Sequence, residues 1–240
     1  MAAGEGRVGF ELLLGQVLAA LPAAPATVVD AGGGTGQLAV ALAGHGYRVT
    51  VVDTSAAMLA TCAQRAADEG GEVAERVTGV QGDAAGLPGL LGEGSQDAAV
   101  CHDLVTRVDD QAALLASLAG VLAEGGVLSL GFANRDWLAL RAGRRGDHAG
   151  ALRLVEGGDA ITLTEAERLL SKAGLALVAA SGVGVFAEAG DDDLNQEERA
   201  TLIELERQVA GREPYRSSAR TLHLVARRGV FRPELSGDTL

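Results

Sequence analysis

The stretch Asp30-Ala31-Gly32-Gly33-Gly34-Thr35-Gly36 constrains this chain more than any other. It follows a short apolar run over 26–30 and precedes a helical pattern over 37–44. A glycine cluster at the carboxyl end of a strand, opening a helix, is where open α/β sheets receive ligands. Glycine accepts the positive φ of a tight turn and leaves no Cβ between backbone and ligand. The spacing narrows the ligand. Dinucleotide sites use G-x-G-x-x-G, which from Gly32 requires glycine at position 37, and that residue is Gln37. The order here is Asp30-x-Gly32-x-Gly34-x-Gly36, with a carboxylate ahead of the glycines.

The rest of the chain alternates in period. Helical patterns cover 10–21 (broken by Pro22 and Pro25), 55–67 with Ser55 as cap, 111–123, 164–173 with Thr162 or Thr164 as cap, and 196–209. Strand patterns cover 26–30, 47–53, 76–80, 97–101, 127–132, 175–185 and 221–226. This alternation predicts an α/β fold, a mostly parallel sheet with helices on both faces. Residues 1–240 read as one domain with two substrate-side excursions, 134–160 and 187–219, and a flexible tail over 230–240. The first excursion, rich in glycine and arginine, reads as an insertion loop.

Composition removes several function classes. The chain has 240 residues, 48% of them hydrophobic, without an apolar run near the roughly 20 residues of a membrane span. The start lacks the apolar segment of a secretion signal. Cys62 and Cys101 sit in apolar surroundings and read as reduced core residues of a cytoplasmic protein. The four histidines have no ligand spacing, so no metal is expected. The net charge of −12 argues against broad, nonspecific nucleic-acid binding. The charge is uneven: residues 1–133 hold 5 basic and 15 acidic side chains, residues 134–240 hold 15 and 17. A local basic patch in the second half is therefore compatible with the total. The sequence does not determine the oligomeric state.

Four residues near strand ends carry candidate chemistry. Asp53 ends the second strand and is placed to accept both ribose hydroxyls of a nucleoside; otherwise, with Thr54-Ser55 following, it caps the helix or holds the turn. Asp83, in Gln81-Gly82-Asp83, follows the third strand; its bland reading is a turn aspartate. Asp30 either meets a ligand's amino end or holds the turn. His102 ends the fourth strand on the ligand side and is either a contact residue or a structural histidine.

The glycine loop with its leading acid resembles motif I of class I S-adenosylmethionine-dependent methyltransferases. Their cofactor offers a sulfonium, a zwitterionic amino-acid end and a ribose instead of a pyrophosphate. The likeness extends along about residues 7–228. Gly126-Val127-Leu128-Ser129-Leu130 with Phe132 and Asn134, Gly182-Val183-Gly184-Val185-Phe186, Leu202-Ile203-Glu204-Leu205-Glu206, Glu213-Pro214-Tyr215, Arg220 and 223–227 resemble the bacterial tRNA 5-carboxymethoxyuridine methyltransferase family. Those relatives esterify the carboxylate of a modified wobble uridine. The resemblance implies a Rossmann-like class I sheet with its last strand antiparallel. It also implies S-adenosyl-L-methionine as cofactor and S-adenosyl-L-homocysteine as product. It places Arg7, Asp30, Gly32, Gly33, Gly34, Asp53, Gly82, Asp83 and His102 around the cofactor, with Asp83 at the adenine amino group. The chain departs from the pattern in three places. Arg141, Arg144 and Arg145 replace a lysine-rich run, Thr106-Arg107 stands where an aromatic follows strand four, and Asp191 to Asp193 add negative charge.

A carboxylate acceptor is already ionised at neutral pH and needs no general base, in keeping with the lack of an obvious one. Arg216 and Arg220 are candidates to steer it, or are solvated surface arginines. Tyr215 and Trp137 are candidates to stack on a base or cover the cleft, as is His102 for the acceptor side. Three functions compete: a tRNA methyltransferase, a small-molecule O- or N-methyltransferase on the same fold, and a non-catalytic cofactor-binding protein.

Overall fold

β-Branched and small apolar residues form the strands at the middle of the molecule, and neighbouring side chains alternate between two cores. In β1 (Thr27–Ala31) Val28 turns to one face and Val29 to the other. β2 (Arg48–Asp53) and β4 (Gln96–His102) repeat this, with Val51 and Val100 on one side and Val52 and Cys101 on the other. The computed structural model describes residues 6–158, 160–187 and 191–229; the tail expected over 230–240 lies outside them.

Four more strands complete one sheet: β3 (Val77–Gln81), β5 (Leu122–Ala133), β6 (Leu175–Val183) and β7 (Thr221–Arg228). Its order is β3-β2-β1-β4-β5-β7-β6. All neighbours pair in parallel except β7, which runs antiparallel between β5 and β6. The chain lays down β1, β2 and β3 outward, then returns to place β4 beside β1. That reversal opens a crevice at the carboxyl ends of β1 and β4.

Helices α1 (Arg7–Ala20) and α2 (Gln37–Gly44) bury Val8, Leu12, Val17, Leu38 and Leu42 in one core. On the other face, α6 (Gln111–Val121) and α9 (Leu163–Lys172) cover Phe132, Leu128 and Leu224. Ser55 caps α3 (Ala56–Glu69) by accepting from the Met58 amide at 3.3 Å. Thr162, rather than Thr164, caps α9 and forms a reciprocal pair with Glu165. Short helices α4 (Gly71–Ala74) and α5 (Leu87–Leu91) were not legible in the sequence. Among the described residues no helix is long and apolar enough to cross a membrane. Cys62 and Cys101 are buried free thiols.

Two expectations change. The expected loop over 134–160 contains two helices, α7 (Arg135–Arg144) and α8 (His148–Glu156). Their caps are Asn134, accepting from the Asp136 amide at 3.1 Å, and Asp147, accepting from Gly150 at 2.8 Å. The side-chain nitrogen of Asn134 also donates to the Ser217 and Ala219 carbonyls, tying α7 to the approach to β7. Trp137 therefore sits on a helix, with the Arg141 guanidinium 5.0 Å from its ring centre. The helix expected over 111–123 ends at Val121, because Leu122 is extended, fully buried and paired with Gln96. The helix expected over 196–209 is α10 (Gln196–Val209), and its buried acid, Glu206, accepts from the backbone amides of Val185, Phe186 and Ala187.

Candidate cofactor cleft

β1 ends in the glycine loop, and each loop glycine answers a separate demand. Gly32, Gly34 and Gly36 adopt positive φ of 72, 54 and 72°, which side-chain-bearing residues adopt at a cost. Gly33 is required by space: a Cβ there would lie 2.5 Å from the Asp30 carboxylate and 2.9 Å from Val51. Hydrogen bonds from Gly32 to the Val52 carbonyl at 2.7 Å and from Gly36 to Gly33 at 2.9 Å close the turn.

Asp53 braces this loop from the end of β2. Its Oδ2 accepts from the Gly34 amide at 3.0 Å and its Oδ1 from Ser55 at 2.8 Å. The turn-holding geometry expected for Asp53 is thus present, on the wall of the cleft. The cleft has a volume of about 500 Å³ and runs from the loop to the end of β4. It gathers Asp30, Gly32, Gly33, Gly34, Asp53 and His102 from the residues singled out in the sequence. Arg7, Gly82, Asp83, Arg216, Arg220 and Tyr215 do not line it.

The outlying residues have definite places. Arg7 is the exposed first residue of α1. Gly82 donates to the Asp53 carbonyl at 3.1 Å, and exposed Asp83 accepts from the Ala85 amide at 2.9 Å, capping a short turn. Arg216 is held by Glu213 at 2.6 Å. Tyr215 is partly exposed, its ring 6.0 Å from Phe186. Arg220 differs from Arg216: its Nε is buried and has no hydrogen-bond partner.

Asp30 dominates the electrostatics. It is only 4% exposed, and its carboxylate makes no hydrogen bond or ion pair among the described residues. Burial, reinforced by Asp53, pushes its carboxyl up to about 7. A buried, unpartnered acid beside a second acid repels a pyrophosphate and attracts a cation. The chemistry therefore fits a ligand with an ammonium and a sulfonium.

The sign of the pH effect follows. The folded chain holds the Asp30 proton more tightly than the unfolded chain. Stability from this group is complete below about pH 4 and is lost as pH rises towards 7. Three pK units correspond to on the order of 4 kcal/mol. Asp30→Asn is expected to raise the melting temperature of the ligand-free protein at pH 8 by about 8–16 °C. It should also flatten the decline between pH 4 and pH 8. Thermal scans across that range check this, and an unchanged slope would remove Asp30 as the cause.

Several cleft residues were not picked out in the sequence. Phe10, Leu13, Leu38 and Met58 supply apolar walls, and the i, i+3 spacing of Phe10 and Leu13 was the available signal. Asp103 and Arg107 lie at the β4 end. Asp103 is the one non-glycine with positive φ (58°) among the described residues, a conformation no sequence pattern announced. Burial raises its carboxyl, while Arg107 and Arg220 pull it back down. His102 donates or accepts through Nε2 to Ser129 Oγ at 2.9 Å. Burial, with His223 nearby, pushes it down to about 3, so it is neutral near pH 7. Among the described residues no group of His, Cys, Asp or Glu is arranged to hold a metal ion.

Comparison with known proteins gives the family and the fold. The methyltransferase-domain family profile matches residues 29–130. The tRNA 5-carboxymethoxyuridine methyltransferase of Escherichia coli O157:H7 is 31% identical over 228 residues, covering 90% of this chain and 85% of that protein. A Thermotoga maritima S-adenosylmethionine-dependent methyltransferase superposes with a TM-score of 0.64 at 20% identity, covering 93% of this chain and 90% of its own. The Streptomyces coelicolor A3(2) geranyl diphosphate C-methyltransferase, solved with S-adenosyl-L-homocysteine, gives 0.63 at 18% identity, covering 92% of this chain and 79% of its own. The chain is therefore an S-adenosylmethionine-dependent methyltransferase with a Rossmann-like fold, and it belongs to the family of the bacterial tRNA 5-carboxymethoxyuridine methyltransferases.

Proposed function

We propose that this enzyme methylates the carboxylate of a modified wobble uridine in tRNA, in the cytoplasm. The observation that carries the acceptor reading is Arg220. Its guanidinium packs over Gly184, where a Cβ would approach Nη2 to 3.2 Å, and its buried Nε lacks a partner. It also acts electrostatically on Asp103 in the cleft. A planar cation with an unsatisfied donor, within electrostatic reach of the cleft residue Asp103, suits a carboxylate acceptor. The 31% identity to the E. coli tRNA enzyme across 90% of this chain supports the same reading.

In this reading Asp53 receives the ribose hydroxyls, Asp30 the amino end, and the backbone of Gly32, Gly33 and Gly34 lies against the cofactor. Arg7, His102, Gly82 and Asp83 are its peripheral partners, with Asp83 towards the adenine. Bound S-adenosylmethionine supplies a methyl group already activated on a sulfonium. The protein's contribution is alignment and exclusion of water. An ionised carboxylate acceptor requires no proton removal, which agrees with a neutral, weakly basic His102.

Arg220→Ala is expected to lower methyl transfer to tRNA by about 100-fold, the loss of one or two charge-assisted hydrogen bonds. Binding of S-adenosylhomocysteine should stay within about twofold. Single-turnover transfer and calorimetry separate the two, and wild-type transfer by the variant would sink the role. The substrate itself is tested by mass spectrometry of tRNA nucleosides from cells with and without the gene. The predicted outcome is loss of the methyl ester; an unchanged profile rejects the tRNA acceptor. The net charge of −12 favours a second reading, a small-molecule O- or N-methyltransferase. That enzyme would be indifferent to salt, whereas tRNA as acceptor brings a steep loss with ionic strength.

A further inference from the structure

Behind the cleft, four side chains from three strands and one helix join in a line. Gln16 Nε2 on α1 donates to the Gly182 carbonyl at 3.2 Å, and Gln16 Oε1 lies 3.0 Å from His223 Nδ1. His223 Nε2 lies 2.8 Å from Ser129 Oγ, and Ser129 Oγ lies 2.9 Å from His102 Nε2. Ser129 and His223 are buried, and the two imidazole centres are 5.7 Å apart. The line ends at His102 Nδ1, which is buried and has no partner.

The chemistry of each link gives the line a direction. The Gly182 carbonyl only accepts, so the Gln16 amide nitrogen must face it and its oxygen must face His223. His223 Nδ1 then carries the proton. Neutral His223 has a bare Nε2, which accepts from the Ser129 hydroxyl. With its proton committed, Ser129 Oγ accepts from His102, so His102 carries its proton on Nε2. Burial keeps both rings uncharged, His223 at about 4 and His102 at about 3. Gly131 leaves the space that Nδ1 occupies, since a Cβ there would approach it to 2.6 Å.

We propose that Gln16, His223 and Ser129 are positioning residues for the cofactor cleft: they set His102 as the neutral Nε2–H tautomer and reserve its Nδ1 to accept from an amino or hydroxyl group of the bound S-adenosyl ligand. An imidazolium in the same place would put a positive charge beside a sulfonium. The inference rests on the cofactor reaching His102, as proposed above. It adds three residues that do not line the cleft.

The test uses the full-length protein with ¹⁵N-labelled histidine, and S-adenosylhomocysteine as the ligand. Long-range ¹H–¹⁵N spectra read the tautomer of each ring, and calorimetry reads affinity. The wild type should show His102 protonated on Nε2 and His223 on Nδ1. Gln16→Leu, at a half-buried helix position, should mix the tautomers of both rings and weaken ligand binding by about threefold to tenfold. Ser129→Ala should uncouple the rings and cost about tenfold. Ser129→Thr, which keeps the hydroxyl, should retain the wild-type His102 tautomer. A wild-type His102 protonated on Nδ1, or charged, overturns the proposal. So does a changed tautomer with wild-type affinity, because the chain then serves only the fold. Absence of ligand binding by the wild type would instead fail the cofactor assignment, while the tautomers remain readable.

Discussion

Gly33→Ala is expected to abolish measurable S-adenosylmethionine binding and to lower the melting temperature. The added Cβ would sit 2.5 Å from Asp30 Oδ2, 2.6 Å from its Cγ and 2.9 Å from Val51 Cγ1. Neither neighbour can withdraw: Asp30 is buried at the end of β1, and Val51 lies in the closed core between β2 and α2. The loop must therefore shift. Overpacking of this kind costs about 1–3 kcal/mol, equivalent to about 2–12 °C in a chain of this size. Binding suffers more, because the shift moves the Gly34 amide away from Asp53. An affinity loss of at least about 100-fold is expected, measured by calorimetry beside a thermal scan. Gly44→Ala is the control, since nothing lies within 4 Å of its Cβ position. Alanine there, by restricting the unfolded chain, should leave binding intact and stability equal or slightly higher. Wild-type affinity in Gly33→Ala would show that the loop is not where the cofactor rests.

Asp53→Ala is expected to weaken S-adenosylmethionine by about 100-fold, or about 2.7 kcal/mol. The carboxylate has two tasks. It accepts from the Gly34 and Ser55 amides, holding the loop and the start of α3 together. In the proposed complex it also accepts from the ribose. Charge-assisted hydrogen bonds are each worth about 1.5–3 kcal/mol, so losing either task suffices for the effect. A fragment separates Asp53 from Asp30. 5′-Methylthioadenosine keeps the ribose and lacks the amino-acid end. Asp53→Ala should weaken this fragment and the cofactor alike, whereas Asp30→Asn should weaken only the cofactor. If 5′-methylthioadenosine bound Asp53→Ala as tightly as wild type, the ribose assignment would be wrong.

Local patterns carried much of the fold because they are properties of neighbouring residues. Short apolar runs mark all seven strands, and α2 and α10 begin and end where their helical periodicity places them. The failures came where a local signal competed with distant packing. Glycines and arginines in 134–160 suggested a loop, yet Asn134 and Asp147 are good helix caps, and buried Asn134 is further anchored by the carbonyls of Ser217 and Ala219. The helix over 111–121 stops early because Leu122 is claimed by Gln96 across the sheet. No window of the sequence contains that partner.

The glycine loop shows the same division. Its spacing excluded a dinucleotide site, because short-range geometry dictates which backbones can turn and approach a ligand, and its resemblance to motif I of class I methyltransferases implied the cofactor. Only the tertiary structure decided that Asp30 is buried without a partner, that Asp103 takes a left-handed conformation beside two arginines, and that Gln16, His223 and Ser129 reach His102. The reason is physical: burial, electrostatic neighbours and hydrogen-bond direction depend on residues up to 207 positions apart, which meet only when the sheet is assembled.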